Sequence, residues 1–493
     1  TPEGEYAPVD FYGGTLRGIA DRLHYLQKFG VTVLYLNPIF ESASNHRYDT
    51  GDYRKVDPIL GTNADFKKLC AAAADCGIRI VLDGVFAHTG ADSRYFNRFR
   101  HYPGCGAYNS HSSVYARWYS FAHYPDDYKC WWDFKDLPAV NAANPDWRKY
   151  MITGERSIVK TWLRDGASGW RLDVADELPD DVLRGMRSAA KETDPDSVLL
   201  GEVWEDAVTK VSYGERRQYA LGDALDSVMN YPLRDGLVAF LTGRSTARAL
   251  ADLLLSQRLN YPQPLYYALM NLTASHDVAR TRSALALDFD PRSRTRAELA
   301  ALEITDAMAA RGAQLQVLAA AVQFWLPGIP SIYYGDETGM QGLCDPFNRA
   351  PLQMCDTQML QWYAQLTALR HAHPALTRGE VAVFAPAGDV LCVLRVIADG
   401  RDAFGEEAED EALLLIVNRA AHPVRCHVEL TCPGAGLCEE TRLAFVRSEY
   451  DCAADCTDDT HIAIRDGVGA FDLPPHAAKI YRLENRHGTE TGS

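Results

Sequence analysis

The chain has 493 residues, 47% of them hydrophobic and 24% charged, enough for a large core and more than one domain. Its formal net charge of -16 repels phosphate backbones and anionic lipid, so nucleic acid and membranes are excluded as expected partners and a neutral ligand is favoured. The 12 cysteines include no C-x-x-C pair and no zinc-like His/Cys spacing, so neither a disulfide framework nor a structural metal site is expected.

Residues 1–12 contain Pro2 and Pro8 and do not read as a strand, since proline interrupts a central ladder. Leu16 to Phe29 reads as a helix, and Val31-Thr-Val-Leu-Tyr-Leu-Asn37 as a buried strand. Phe66 to Cys76 is helical again, with Cys70 and Cys76 as buried thiols, and leads into the strand Ile78-Arg-Ile-Val-Leu-Asp83. Residues 89–145, rich in Tyr, His, Ser and Trp, interrupt the alternation as a long excursion, and loops of that length are usually functional. Further strands read at Gly169 to Asp173, Val198 to Glu202, Ala224 to Met229, Tyr267 to Thr273 and Ile329 to Tyr334, with helical patterns between most of them. Strand-helix alternation predicts a parallel sheet covered by helices, most simply a (β/α)8 barrel. Seven barrel strands are read; the eighth, first in order, is expected from residues preceding Thr1.

The expected domains are a catalytic barrel over 1–88 and 146–377, an inserted loop domain over 89–145, a C-terminal β-sandwich over 378–485 and a disordered tail over 486–493. Strands of the sandwich read at Val381 to Phe384, Val390 to Val396, Ala412 to Val417 and Ala478 to Leu483, with the acidic stretch Glu406 to Glu411 as a solvated loop. Cys452 and Cys456 are open to bridging or to remaining free thiols. No apolar run is long enough to span a bilayer. Scattered cysteines without a framework point to a reducing, cytoplasmic setting, with secretion from a longer precursor left open.

Charged groups collect at strand ends, where active sites form in such folds. Alternation along a strand puts Arg171 and Asp173 on one side, so the cation should hold Asp173 ionised and fit to attack an anomeric carbon. Glu202 ends the next strand after Val198-Leu-Leu; beside apolar residues and Trp204 its pKa should rise, suiting it to protonate a leaving oxygen. Adjacent strands lie about 5 Å apart, which brings the two carboxylates toward the separation of about 5–5.5 Å found in retaining glycosidases. His276-Asp277 closes a later strand and offers a third acid.

At these residues the sequence resembles the α-amylase superfamily of glycoside hydrolases. The family's motifs appear in order: Leu36-Asn-Pro-Ile-Phe-Glu-Ser42, Asp83-Gly-Val-Phe-Ala-His88, Gly169-Trp-Arg-Leu-Asp-Val-Ala-Asp-Glu177, Gly201-Glu-Val-Trp204, Ser275-His-Asp277, and Gly328 to Glu337. Asn45-His-Arg-Tyr-Asp49, Leu137-Pro-Ala-Val-Asn141, Val174-Ala-Asp-Glu177 and the pair Asp345, Arg349 resemble the neopullulanase, cyclomaltodextrinase and maltogenic amylase group. The resemblance implies a retaining hydrolase of α-1,4 and, in some relatives, α-1,6 bonds in starch-derived oligosaccharides, pullulan or cyclodextrins. It implies Asp173 as nucleophile, Glu202 as acid/base and Asp277 as the transition-state stabiliser. His88, Arg171 and His276 would line the subsite of the cleaved bond, Tyr48 would stack on its glucose, and Asp345 and Arg349 would hold the next sugar. Trp204 and Glu177 would face the leaving group. Ala87 and Thr15 stand where relatives carry calcium-binding Asn and Asp, so no cofactor is expected. The group's N-terminal sandwich is not read, which leaves the oligomeric state open. Two other readings share the barrel: a transglycosylase or isomerase with the same carboxylates, and a catalytically inactive relative, which the retained acids disfavour.

Overall fold

Short apolar strands, most of them separated by helices, build much of the first 378 residues. The structure, a computed structural model, describes residues 8–430, 441–445, 461–465 and 467–485. It divides into two units, Ala7–Met229 and a second running from Asn230.

In the first unit five strands pair side by side in chain order as one parallel sheet: β1 (Val33–Leu36), β2 (Arg79–Gly84), β3 (Gly169–Leu172), β4 (Val198–Gly201) and β5 (Ser227–Val228). The register sets Asp83 against Arg171 and Leu172 against Gly201. Helix α1 (Asn63–Asp75) starts at a capping box, Thr62 and Asp65 exchanging side-chain and backbone hydrogen bonds at 3.0 and 3.2 Å. It buries Phe66, Leu69 and Cys70. Cys76 lies just past its end and is only half-buried, not a core thiol. The helix expected over Leu16 to Phe29 is two, Leu16–Ala20 and Leu23–Phe29, separated by Asp21 and Arg22. A hairpin of Phe40–Ser42 and Thr50–Val56 was not foreseen. Helix α2 (Asp180–Thr193) links β3 to β4 and packs on β4.

Residues 8–14 hold no strand; the carbonyls of Pro8 and Asp10 instead accept hydrogen bonds from Asn45, at 2.6 and 2.9 Å. Residues 1–7, on which the expectation about a first strand falls, lie outside the described residues. The expected excursion contains short 3-10 turns and a small hairpin, Phe121–His123 with Asp127–Tyr128.

The second unit begins with helices α3 (Tyr231–Leu241) and α4 (Ala247–Asn260), then β6 (Met270–Leu272), α5 (Asp306–Trp325), β7 (Ile329–Ser331) and α6 (Thr357–Ala372). β6 and β7 form a parallel pair, Asn271 opposite Pro330. Tyr267 was expected in a strand but ends the helix Gln263–Tyr267, its hydroxyl donating to the Gly379 carbonyl at 2.8 Å. All seven expected strands exist, shortened at most ends, as a five-stranded and a two-stranded sheet; no closed barrel forms among the described residues.

Beyond residue 379 the chain is antiparallel. The strands are β8 (Glu380–Ala387), β9 (Val390–Ile397), β10 (Glu411–Asn418), β11 (Val424–Glu429), β12 (Thr441–Phe445), β13 (His461–Arg465), β14 (Val468–Leu473) and β15 (Ala477–Asn485). They pair in the order β8-β9-β10-β15-β12-β13-β14-β11. Cys392, Leu394 and Ile416 share one apolar cluster with Cys426, Val428 and Phe471, so the sheet folds over its own face. Glu411 is not in a solvated loop: it opens β10 and accepts from His373 Nδ1 at 2.5 Å and the Ala375 amide at 3.0 Å. The expectations for Cys452, Cys456 and the tail over 486–493 lie outside the described residues.

Two arginines gather at the carbonyl end of α5, Arg395 buried on β9 and Arg370 half-buried on α6. Arg395 Nη1 donates to the Trp325 and Leu376 carbonyls, both at 2.7 Å, and its Nη2 to Gly379 at 2.9 Å. Arg370 Nη1 donates to Phe324 at 2.7 Å and Leu326 at 3.3 Å, and its Nη2 to Gly328. Burial pushes Arg370 down to about 9 and Arg395 down to about 10, leaving both charged at neutral pH. Neither has a carboxylate within 4.0 Å among the described residues; the carbonyl end of α5 supplies the negative pole instead. No helix among the described residues is long and apolar enough to cross a membrane.

Candidate active site

The parallel register of the first unit delivers its charged groups together. Asp83 is the penultimate residue of β2 and Arg171 its partner on β3, while Asp173 and Glu202 follow directly on β3 and β4. Since Leu172 pairs with Gly201, Asp173 and Glu202 leave the sheet as neighbours, about 5 Å apart at the backbone.

Arg171 is fully buried and organises three carboxylates. Its Nη1 lies 3.0 Å from Asp83 Oδ1 and 3.0 Å from Asp173 Oδ1, and its Nη2 lies 2.9 Å from Glu202 Oε2. Arg171 and Asp173 do share a side of β3, as alternation requires. Burial opposes the charge on Arg171, yet Asp83 and Glu202 outweigh it and hold the guanidinium well above its ordinary value. Burial raises Asp83 in spite of Arg171.

Glu202 is not in the apolar setting expected for it. Besides Arg171, its Oε2 accepts the Val174 amide at 2.7 Å and its Oε1 accepts the Trp204 indole N–H at 3.0 Å. The Val174 amide reaches it because Val174 is left-handed, at φ 39° and ψ 66°. A β-branched side chain rarely adopts that conformation, and such strain collects where the surroundings impose it.

Tyr48 and His88 join the same group. Tyr48 donates its hydroxyl to Asp83 Oδ2 at 2.9 Å, and His88 Nε2 lies 3.0 Å from the Tyr48 carbonyl oxygen. Burial pushes His88 down to about 4, so it is neutral at pH 7, and its buried Nδ1 has no hydrogen-bond partner among the described residues. Glu177 sits in the 3-10 turn Ala175–Glu177 and accepts from the Tyr213 hydroxyl at 2.6 Å.

The second unit assembles the other four expected residues. His276 Nε2 lies 3.2 Å from Asp277 Oδ2; Arg349 Nε donates to the His276 carbonyl at 3.1 Å and lies 3.0 Å from Asp345 Oδ1. Arg349 Nη2 is 3.8 Å from Asp277 Oδ1. Asn348 pins the turn by donating to the carbonyls of Ser275 at 3.0 Å and Val278 at 2.8 Å.

Two members of the first group went unassigned in the sequence. Asp83 was visible at a strand end; its partner across the register, Arg171, was the signal. Tyr35 donates to Asp83 Oδ2 at 2.5 Å, and only its place on β1 beside Asp83 could have marked it. This tyrosine pair leaves Asp83 fully bonded, so it can brace Arg171 without touching substrate.

The sequence profile described as "Alpha amylase, catalytic domain" matches residues 3–354. The amylopullulanase of Thermoanaerobacterium saccharolyticum is 36% identical over 454 residues; the alignment covers 86% of this chain and 34% of that protein, so the chain spans about a third of its length. A cyclomaltodextrinase from a Bacillus species is 31% identical over 435 residues, covering 85% of this chain and 68% of its own. Among solved structures, the cyclic α-maltosyl-(1→6)-maltose hydrolase of Arthrobacter globiformis, in complex with cyclic α-maltosyl-(1→6)-maltose, matches with a TM-score of 0.74 at 27% identity, covering 98% of this chain and 92% of that one.

Proposed function

Because the chain belongs to the α-amylase family, whose catalytic domain is a TIM barrel, we propose that it hydrolyses α-glucosidic bonds of starch-derived oligosaccharides, pullulan or cyclodextrins with retention of configuration. The observation that carries this is the pair Asp173 and Glu202, adjacent in register and held by one guanidinium. Neighbouring strand ends about 5 Å apart suit attack by a carboxylate, which the retaining mechanism needs, rather than the wider gap of inversion.

In this reading Asp173 attacks the anomeric carbon while Glu202 gives its proton to the departing oxygen. Glu202 then takes a proton from water, and that water releases the sugar from Asp173. Family resemblance supports Asp277 as the acid that holds sugar hydroxyls in the transition state, with Arg171 and His276 lining the subsite of the cleaved bond. His88 would meet the same sugar through its unpartnered Nδ1, and Tyr48 would stack on it. Asp345 and Arg349 would hold the next glucose; Trp204 and Glu177 would face the leaving group. We divide the chain into a catalytic barrel over 1–88 and 146–377, an inserted loop domain over 89–145 and a C-terminal sandwich over 378–485. A reducing, cytoplasmic setting fits the eight described cysteines, all of them free.

The test is a product profile on maltotriose, pullulan, starch and cyclodextrin, with the anomer followed by NMR. New reducing ends should appear first in the α configuration, and Asp173→Asn or Glu202→Gln should remove nearly all turnover while leaving the far-UV spectrum unchanged. A first product in the β configuration would overturn retention. Rearranged disaccharides without new reducing ends would make the chain an isomerase.

A further inference from the structure

The chain running on from Glu202 builds a feature that the hydrolytic steps do not use. Val211–Ser212 pairs with Glu215–Arg216 as a small hairpin, turned at Tyr213 (φ 53°) and Gly214 (φ 81°). Two positive φ values in a row are the mark of a tight hairpin turn, for which Asn-Gly is the favoured pair. Tyrosine at the first position is locally unfavourable, so its presence points to a use for the ring.

The hairpin is fastened at its base. Lys210 Nζ lies 2.9 Å from Asp176 Oδ2 and also pairs with Glu205. Arg217 bonds Asp180 at 2.9 Å and the Asp176 carbonyl at 2.8 Å, and Arg216 bonds the Val208 carbonyl at 3.1 Å. Tyr213 nevertheless remains 75% exposed at the tip. Its hydroxyl is engaged, donating to Glu177 at 2.6 Å, so what it offers solvent is an aromatic face held at a fixed angle.

That face stands in a particular place along the chain. Glu177 is four residues beyond Asp173, and Ala175 between them donates its amide to the Glu202 carbonyl at 3.2 Å. The hairpin itself continues from Glu202 through Trp204, whose indole is bonded to the Glu202 carboxylate. The acid, the turn ending at Glu177 and the Tyr213 ring are thus linked contact by contact, on the side that the family resemblance assigns to the leaving group.

We propose that Tyr213 is a stacking platform for a glucose unit of the leaving-group portion of an α-glucan, with Glu177 beside it accepting a hydroxyl of the same sugar. The proposal rests on Asp173 and Glu202 being the hydrolytic pair. An apolar sugar face on an aromatic ring, next to a carboxylate, is the pairing by which neutral carbohydrate is held in water. Such a platform rewards substrates long enough to reach it and leaves short ones unaffected, which makes Tyr213 a determinant of chain length.

The experiment compares kcat and KM of the wild type, Tyr213→Ala, Tyr213→Asn and Tyr213→Phe on maltotriose through maltohexaose. Losing a stacked ring worth about 1.4 kcal/mol raises KM roughly tenfold. That rise is expected in Tyr213→Ala on the longest substrate, shrinking as the substrate shortens, and falling on KM more than kcat. Tyr213→Asn keeps the favoured turn residue and so controls for misfolding; it should show the same length-dependent loss with an unchanged melting temperature. Tyr213→Phe keeps the ring and should recover most of the affinity. If the Ala and Asn variants lose equally on all lengths, or lose nothing, the platform is overturned while the hydrolytic reading stands. If the wild type cleaves none of these sugars, the hydrolytic reading itself fails.

Discussion

Arg171 neutralises one of three carboxylates around it, and the remainder is managed residue by residue. Asp83 is pushed toward its neutral form and receives two tyrosine hydroxyls, while Asp173 and Glu202 keep the guanidinium's other contacts. The sequence marked Arg171, Asp173 and Glu202 because they lie at or beside strand ends, but left Asp83 and Tyr35 without a role. It did not show that Glu202 sits on Arg171, because that contact crosses from β3 to β4 and depends on both side-chain lengths. A second buried acid pair, Asp336 and Glu337 beyond β7, has a consequence for stability. Burial pushes Asp336 up to about 6 and Glu337 up to about 7. Both fold preferentially protonated, so the folded chain binds more protons than the unfolded one across this window. Their contribution is therefore complete below about pH 4 and is lost as pH rises through about 7. Denaturant unfolding of the wild type and Glu337→Gln at about pH 4.5 and 7.5 should show the variant retaining roughly 2–3 kcal/mol more of its stability on going up in pH. Parallel pH profiles would show that Glu337 is not protonated in the fold.

At the level of elements, the readable strands were continuous apolar runs. Val390 to Val396 and Ala412 to Val417 survive as β9 and β10, each extended by one or two residues. The four missed strands of the C-terminal sheet had other signatures. Val424–Glu429 and Val468–Leu473 alternate strictly, exposed then buried, with Gly, Cys and His diluting the pattern, so only a count at period two would have found them. Tyr267 was misplaced because its aromatic ring suits a strand, whereas Pro262 and Pro264 begin a helix turn there. The carbonyl end of α5 was legible only as the stop Pro327-Gly328; nothing local announced that Arg370 and Arg395, from a later helix and strand, would close it. Arg395→Met preserves length and removes the donors, stranding the buried carbonyls of Trp325 and Leu376, while Gly379 keeps the Tyr267 hydroxyl. Each stranded carbonyl costs about 1–3 kcal/mol, so the variant should lose about 2 kcal/mol or more, read as a lowered melting temperature. An unchanged midpoint would mean that water replaces the guanidinium.

For the whole molecule, motif order indicated the family and the succession of strands and helices, while the folded-over C-terminal sheet was half seen. Metal dependence belongs to this scale because a bound ion would tie separate segments together. Here Ala87 carries no side-chain oxygen, and the Thr15 hydroxyl already accepts the Gly18 amide at 3.0 Å as a helix cap, so neither residue suits the ion. Incubation with a chelator should leave both activity and melting temperature unchanged; a loss restored by calcium would locate a site elsewhere. Strand order in the C-terminal sheet also bears on how the protein is made. β15, the latest strand in the chain, lies between β10 and β12, pairing Leu414 with Tyr481 on one side and Leu443 with Leu483 on the other. During synthesis the earlier strands therefore wait as two fragments with open edges until residues 477–485 leave the ribosome, and a ribosome stalled before that point holds a nascent chain whose exposed edges are ready to pair with those of its neighbours.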